Sequence, residues 1–342
     1  MSGKPLLEVL AGNVLTNPPI WLMRQAGRYL PEYRDLRSEA GSFLDLCYNS
    51  EFAKAATLQP VQRFKLDAAI LFSDILVIPH ALGQELKFVE GECPRLTAIR
   101  SIADLRLLSK DLNLQNLSAV YETIEKVVSE LDHSVTLIGF AGAPWTVATY
   151  MIEGGPSKNF ENIKHWAFSN PNDFEFLIHR LVEVTVEHLS RQIEAGAEVI
   201  QLFESWAGIL PEKEFVRWCI KPVKTIVDRL KRKHPNVPII GFPRGAGTMY
   251  SGYARRTLID AVSVDYTIPP RWIAEELQKE TVVQGNLDPH ILQVGGNIMV
   301  DAVRNIKTSL SNGPFIFNLG HGVLRNTPPN HVSELIDLVH EH

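Results

Sequence analysis

Short runs of apolar and β-branched residues recur along the whole chain, and longer amphipathic stretches separate most of them. The runs are apolar at consecutive positions, which is typical of strands whose two faces are both buried. Between them, segments such as 174–195 and 215–233 carry apolar residues at helical spacing. There are eight such runs, which are Ile20–Met23, Ala68–Phe72, Val135–Phe140, Glu198–Phe203, Pro238–Phe242, Ala261–Val264, Thr281–Val283 and Phe315–Asn318.

Eight buried strands that alternate with helices in 342 residues predict an α/β fold, the (β/α)8 or TIM barrel. A doubly wound open sheet is the alternative. No GxGxxG sequence follows the first run and no Walker loop is present, so the sequence gives no support to nucleotide binding. No low-complexity segment or linker divides the chain, and we therefore expect residues 1–342 to form a single domain.

The composition argues against several classes of function. The net charge is −5, so a general affinity for nucleic acid is not expected. No apolar run reaches the ~18 residues that a membrane span needs, and the N-terminal residues lack the pattern of a secretory signal. The three cysteines, Cys47, Cys93 and Cys219, form no CxxC or Cys/His cluster. We expect a cytoplasmic protein without a membrane span and without a metal site.

Two arginines follow the first apolar run. In a barrel of this type the active residues come from the C-terminal ends of the strands. Arg24 and Arg28 lie four residues apart, so they would share one face of a helical turn. A guanidinium is permanently charged and offers five donors in a fixed fork, which suits carboxylates and phosphates. The alternative is an ordinary surface ion pair between Arg28 and Glu32.

Other polar residues follow the later runs or the loops next to them. Asp74 lies between two strongly apolar segments, where a carboxylate needs polar partners. It could instead cap a helix, and Ser205 has the same alternative. Tyr150 could be a packing residue and His321 a solvated loop residue, although the glycines on both sides of His321 would allow a close approach to a ligand. The remaining strand ends carry Arg244, Asp265, Asn286, Asp288 and Asn318.

The chemistry absent from these strand ends is also informative. No lysine lies at a strand end, which weakens the case for a Schiff-base aldolase. No His/Glu/Asp metal triad is evident. The strand ends instead carry arginines, an aspartate, a tyrosine, a serine and a histidine. This set fits a polyanionic substrate. It also fits acid/base or electrostatic chemistry without a cofactor.

Six ordered motifs resemble those of the uroporphyrinogen decarboxylase family, and the resemblance spans essentially the whole chain. The motifs are Met-Arg-Gln-Ala-Gly-Arg-Tyr-Leu-Pro-Glu-Tyr at 23–33, Phe-Ser-Asp-Ile-Leu at 72–76, the 139–154 segment with Gly-Phe-Ala-Gly-Ala-Pro-Trp-Thr and Thr-Tyr-Met-Ile-Glu-Gly, Gln-Leu-Phe-Glu-Ser-Trp-Ala-Gly at 201–208, Gln-Gly-Asn-Leu-Asp-Pro at 284–289, and Phe-Asn-Leu-Gly-His-Gly at 317–322. Trp206 stands where some relatives carry histidine, so no imidazole acts there.

The resemblance implies a cofactor-free homodimeric barrel enzyme. It would remove four acetate carboxylates from uroporphyrinogen III to give coproporphyrinogen III and CO2, in heme or chlorophyll biosynthesis. Asp74 would stabilise positive charge on the reacting pyrrole, and Tyr150 would position the acetate or Asp74. The substrate-binding residues carried over are Arg24, Gln25, Ala26, Gly27, Arg28, Arg37, Asp74, Tyr150, Ser205 and His321. An arginine, a tyrosine and water remain alternatives for the proton donor.

Two other functions are compatible with such a barrel. A corrinoid-linked or thiol-dependent methyltransferase would need a His-x-Cys motif with a distant cysteine for zinc, and neither Cys93 nor Cys219 has it. A non-catalytic tetrapyrrole carrier could use the same arginines and Asp74. The release of CO2 would separate the catalyst from the carrier.

Overall fold

The computed structural model describes residues 3–87, 94–109 and 113–341. Its strands are β1 (Ala68–Ile70), β2 (Leu86–Lys87), β3 (Arg95–Leu96), β4 (Thr136–Gly142), β5 (Val199–Glu204), β6 (Ile239–Pro243), β7 (Ala261–Ser263), β8 (Val282–Leu287) and β9 (Phe315–Leu319). Its α-helices are α1 (Pro5–Leu10), α2 (Pro31–Ala40), α3 (Phe43–Tyr48), α4 (Ser50–Arg63), α5 (Val77–Ala81), α6 (Ile102–Leu107), α7 (Leu114–Glu130), α8 (Pro144–Glu153), α9 (Glu161–Ser169), α10 (Pro171–Glu194), α11 (Glu212–Phe215), α12 (Lys221–Lys233), α13 (Tyr253–Thr257), α14 (Pro270–Trp272), α15 (Pro289–Val294), α16 (Gly296–Leu310) and α17 (Pro329–His340). Short 3₁₀ turns cover Ala207–Ile209 and Gly247–Tyr250, and π-helical turns cover Val216–Ile220 and Ile273–Leu277.

Seven strands form one sheet in the order β1, β4, β5, β6, β7, β8, β9, and every neighbouring pair is parallel. This sequential order confirms the barrel prediction and shows that the doubly wound alternative was wrong. β2 and β3 make a separate antiparallel pair outside the barrel.

The first predicted strand, Ile20–Met23, is a single bridge rather than a named strand. Ile20 forms a parallel bridge with Phe317 of β9, and its carbonyl accepts from Asp67 N at 2.9 Å just before β1. The segment therefore occupies the position of the eighth strand and closes the barrel. It lacks a longer ladder because the two prolines before Ile20 have no N–H, and because a side chain, Asn318 Oδ1, accepts from Met23 N at 3.1 Å.

Helix α1 covers the N-terminal end of the barrel. Its Leu6, Val9 and Leu10 pack in one buried cluster with the first residues of several strands, including Ala68 and Val199. Lys4 adds an ion pair to Glu198 at 2.6 Å. A second, larger core lies between the sheet and the surrounding helices. Because α1 fills one end of the barrel, the C-terminal ends of the strands form its other mouth.

No helix within the described residues is long and apolar enough to cross a membrane.

Candidate active site

Alternation along the strands decides which residues face the barrel mouth. The cluster inside the barrel includes Ile240 and Phe242 of β6, together with Val199 and Phe203 of β5. Because side chains alternate between the two faces of a strand, the same alternation directs Arg244 and Ser205 into the mouth, two residues beyond Phe242 and Phe203. Three phenylalanines form an aromatic floor beneath them, since the ring centroid of Phe203 lies 5.6 Å from that of Phe140 and 6.4 Å from that of Phe242.

Arg24 is held in an unusual backbone conformation, with a φ of 59°. A non-glycine residue in this region costs of order 1–3 kcal/mol and persists only where its surroundings fix it. Here Met23 is fixed on both sides, because its N–H donates to Asn318 and its carbonyl accepts from Val323 N at 2.9 Å. The Arg24 side chain lies over Gly322, where any Cβ would come within 2.3 Å of Arg24 Cδ. Gly322 thus makes room for the arginine.

The charges of Arg28 and Arg37 both act on Tyr33 of α2, so the two guanidiniums lie in one region of the structure. Arg28 is exposed, and the carboxylate proposed as its partner, Glu32, pairs instead with Arg63 at 3.0 Å. The interpretation of Arg28 and Glu32 as a surface ion pair was therefore wrong. Arg37 is half-buried on α2, where its guanidinium lies 5.0 Å from the centre of the Phe43 ring.

Gln25, Ala26 and Gly27 form an irregular turn between the two arginines, so the prediction that Arg24 and Arg28 share one face of a helical turn was wrong. The buried Gln25 side chain binds backbone groups on both sides, accepting from Leu22 N at 3.2 Å and donating to the carbonyl of Ala68 at 3.2 Å. Gln25 therefore fixes the turn to β1. Ala26 and Gly27 are half-buried.

Asp74 lies in the mouth just after β1. Its Oδ1 accepts from Leu76 N at 2.8 Å, at the entry to α5, so the helix-capping alternative holds for one of its two oxygens. In the described parts of the chain its Oδ2 has no hydrogen bond and stays available to a ligand. Burial raises the pKa of Asp74, while the Leu76 N–H and the charge of Arg24 oppose the shift. Arg24 is thus near enough to act on this carboxyl.

His321 is half-buried between two arginines, so the interpretation of this residue as a solvated loop histidine was wrong. Burial first, and then the charges of Arg24 and Arg244, lower its pKa from 6.5 to about 3, against a smaller opposite effect of Asp265. The imidazole is therefore neutral at physiological pH, with one nitrogen donor and one acceptor. The flanking Gly320 packs against the backbone of Tyr266, where a Cβ would come within 2.1 Å of its nitrogen, rather than against open space.

Tyr150 and Ser205 approach the mouth from α8 and β5. The Tyr150 ring lies 6.2 Å from Trp206, the residue after Ser205, and Phe160 packs on the same indole at 5.0 Å. The 3₁₀ turn that follows Ser205 begins without a side-chain cap, so the capping interpretation of Ser205 was wrong. Trp145 Nε1 donates to the carbonyl of Trp206 at 3.1 Å and ties this loop to α8.

Glu204 is a buried acid next to the site, at a strand end for which the sequence predicted no role. It points away from the mouth, because the neighbouring Phe203 faces inward, and its side chain is fully buried. One oxygen accepts from the Thr146 hydroxyl, which in turn accepts from Trp206 N at 3.3 Å. Burial raises the pKa of Glu204 to about 8, against hydrogen bonds from Thr146 and Trp145 at the start of α8. Its burial could not be predicted from the sequence, because it depends on which face of β5 the helices cover.

Metal-ligand geometry is missing from the parts of the chain that the structure describes, where no three His, Cys, Asp or Glu residues are grouped. Cys47 and Cys219 are buried thiols, and Cys93 lies outside the described residues.

The sequence profile of the uroporphyrinogen decarboxylase (URO-D) family matches residues 1–342. The chain belongs to the uroporphyrinogen decarboxylase family. Uroporphyrinogen decarboxylase of Rhodospirillum rubrum is 52% identical over 336 residues, which cover 98% of this chain and 97% of that protein. The enzyme of the same name from Chelativorans sp. is 50% identical, with 100% and 99% covered.

Solved structures support the barrel fold of this family member. A methyltransferase from Methanosarcina mazei superposes with a TM-score of 0.82 over 99% of this chain and 98% of its own, at 18% sequence identity. A B12-independent methionine synthase from Shewanella sp. gives a TM-score of 0.58 at 11% identity, with 94% of this chain and 93% of its own covered. At such low identity the likeness shows the fold alone.

Proposed function

We propose that this chain decarboxylates uroporphyrinogen III at the mouth of its barrel, with Asp74 at the centre of the site. Family membership supports the activity, a carboxy-lyase step of tetrapyrrole biosynthesis in which four acetate arms lose CO2 to give coproporphyrinogen III. The observation that carries the assignment of the site is the arrangement of charges. One carboxylate with an unused oxygen, Asp74, lies within the electrostatic range of Arg24, above an aromatic floor.

This arrangement suits the two faces of the substrate. The macrocycle presents four pyrrole N–H donors toward its centre, and an ionised carboxylate is a pure acceptor that can take more than one of them. The substrate's eight carboxylates lie at its rim, where Arg24, Arg28 and Arg37 supply fixed positive charges. Pyrrole N–H groups and the Arg24 charge favour the ionised form of Asp74 and offset the effect of burial.

The reaction needs an electron sink for the bond that breaks. A proton added to the pyrrole carbon next to the acetate arm makes the ring cationic. The electrons of the bond between methylene and carboxylate then flow into that ring, CO2 leaves, and the exocyclic carbon takes up a proton as the ring loses one. Each arm thus exchanges CO2 for a proton. Asp74 is held in place by Leu76 N and already faces the ring, so it stabilises the cation without rearranging.

The other residues bind or position the substrate. Tyr150, held against Trp206, positions the reacting acetate or Asp74. Ser205 and the neutral His321 hydrogen-bond to carboxylate arms. Gln25, Ala26 and Gly27 contribute mainly by fixing the turn that carries Arg24 and Arg28. These assignments rest on the resemblance of the motifs together with the geometry described above.

The same resemblance leads us to propose that residues 1–342 act as one catalytic domain, that the protein is a homodimer and that it works in the cytoplasm. Analytical ultracentrifugation tests the homodimer, and cell fractionation tests the location in the cytoplasm. The sedimentation coefficient of a monomer at micromolar concentration would contradict the proposed homodimer.

The reaction itself is tested by anaerobic incubation with uroporphyrinogen III, oxidation of the products and separation of the porphyrins by carboxylate number. We expect a ladder from eight carboxylates down to four, with four equivalents of CO2. Tight binding of the substrate without CO2 release would identify a carrier and overturn the enzymatic assignment.

A further inference from the structure

Arg244 is a charged residue whose place in the mouth is fixed by its backbone. It directly follows β6, and its N–H donates to the carbonyls of Glu204 at 3.1 Å and Phe242 at 3.0 Å. Its own carbonyl accepts from Gly208 N at 3.2 Å. Gly208 also packs closely on Gly245, the residue after Arg244, since a Cβ on Gly208 would come within 2.2 Å of the Gly245 carbonyl oxygen. The position of the Arg244 Cα is therefore strongly constrained.

The side chain of Arg244 points toward Ser205 and His321. Its Nη1 lies 3.5 Å from the carbonyl oxygen of Ser205, a weak contact that leaves most of its donors unused. Its charge also reaches the His321 ring, which Arg24 approaches from the segment before β1. Two arginines from different parts of the barrel thus converge on one neutral imidazole.

Arg244 has no carboxylate partner within the described residues, although it is half-buried. Asp265, whose charge also acts on His321, has both of its carboxylate oxygens hydrogen-bonded to other groups. Its Oδ2 accepts from Gly245 N at 2.8 Å and from the Tyr250 hydroxyl at 2.9 Å, and its Oδ1 accepts from the N–H and the hydroxyl of Thr267 at 3.0 Å and 2.5 Å. A half-buried guanidinium with unused donors is suited to an anion supplied from outside the protein.

Arg244 is also remote from the reacting centre in the sheet order. It follows β6, whereas Asp74 follows β1, and β4 and β5 lie between them, so Arg244 lies across the mouth. An arginine bound to the reacting carboxylate would stabilise the ground state, because that charge disappears when CO2 leaves. An arginine three strand positions away from Asp74 is suited instead to a carboxylate that the reaction retains.

We propose that Arg244, with Ser205 and His321, binds a propionate carboxylate of the tetrapyrrole. This inference rests on the proposed function. It adds a specificity-determining residue to those carried over from the family motifs. Each of the four pyrrole rings carries one propionate, and the reaction removes none of them.

The test compares Arg244→Gln and Arg244→Lys with Arg271→Gln, a matched control at an exposed arginine in a surface ion pair. Under anaerobic conditions, KM is measured separately for the eight-carboxylate and the five-carboxylate substrates. We expect Arg244→Gln to raise KM about 10- to 100-fold, as for the loss of a charged hydrogen bond, with kcat little changed. Arg244→Lys should recover part of this loss, and the control should match the wild type.

The factor by which Arg244→Gln raises KM should be equal for the two substrates, because both keep all their propionates. A KM within about twofold of the wild type, or a factor that falls as acetates are removed, would overturn the propionate assignment. If the wild-type protein is inactive, the proposed function is refuted, and the position of the Arg244 guanidinium is then tested separately by NMR. NMR titration of His321 should show a higher pKa in Arg244→Gln, and an unchanged titration would show that the guanidinium is not adjacent.

Discussion

Replacing Glu204 by glutamine should make the protein more stable than the wild type in alkaline solution and leave it nearly unchanged in acid. The carboxyl is fully buried, and one of its oxygens, Oε2, has no hydrogen-bond partner in the described part of the structure. Ionisation at this site is therefore unfavourable. Glutamine keeps the acceptor for the Thr146 hydroxyl while removing the group that ionises.

The magnitude follows from the two pKa values. An unfolded chain releases this proton near 4.5, whereas burial holds the pKa in the folded protein at about 8. Below 4.5 both states are protonated. Between the two values the unfolded state binds fewer protons, so the free energy of unfolding falls as pH rises and levels off above the folded pKa. At roughly 1.4 kcal/mol per pH unit, the loss is on the order of 5 kcal/mol.

The assay is urea unfolding of both proteins between about pH 5 and about pH 9, followed by tryptophan fluorescence and circular dichroism. Other titrating groups cancel in the difference between the variant and the wild type. That difference should grow by several kcal/mol in favour of Glu204→Gln across this range. Glu276→Gln, at an exposed carboxylate, serves as the control. Parallel stability curves for Glu204→Gln and the wild type would refute the burial argument.

Further expectations concern the mouth and its support. Asp74→Asn should keep the fold but lower kcat about 100-fold or more, because a neutral amide cannot stabilise the pyrrole cation; near-normal product formation would refute the central role. Arg24→Ala and Arg28→Ala should mainly raise KM, about 10-fold each, and unchanged affinity would assign them a purely structural role. The His321 ring should not titrate by NMR between about pH 5 and about pH 8, since its pKa is held at about 3. Thr146→Val should cost about 1–3 kcal/mol in thermal unfolding, because two buried hydrogen bonds to Glu204 and Trp206 are lost.

Local sequence predicted the strands well where the environment of a run is uniform. The continuous apolar runs at 198–203 and 315–318 became the interior strands Val199–Glu204 and Phe315–Leu319, because both of their faces are covered. The run at 20–23 did not form a full strand, since the prolines before it and the Asn318 side chain took the place of ladder hydrogen bonds. The helix predicted over 215–233 contains a π-turn before Pro222, which has no N–H for a regular α-helical bond.

The sequence by itself determined the order of strands and helices, the end of the barrel at which polar groups gather, and the family, because periodicity and motifs are local properties of the chain. Only the tertiary structure decided which charges meet. Glu32 pairs with Arg63, 31 residues away, rather than with Arg28, four residues before it. Arg24 and Arg244 meet at His321, and Glu204 is buried behind the site that Ser205 faces. These outcomes depend on the closure of the barrel, which brings residues from distant strands together and sets the dielectric environment of each charge.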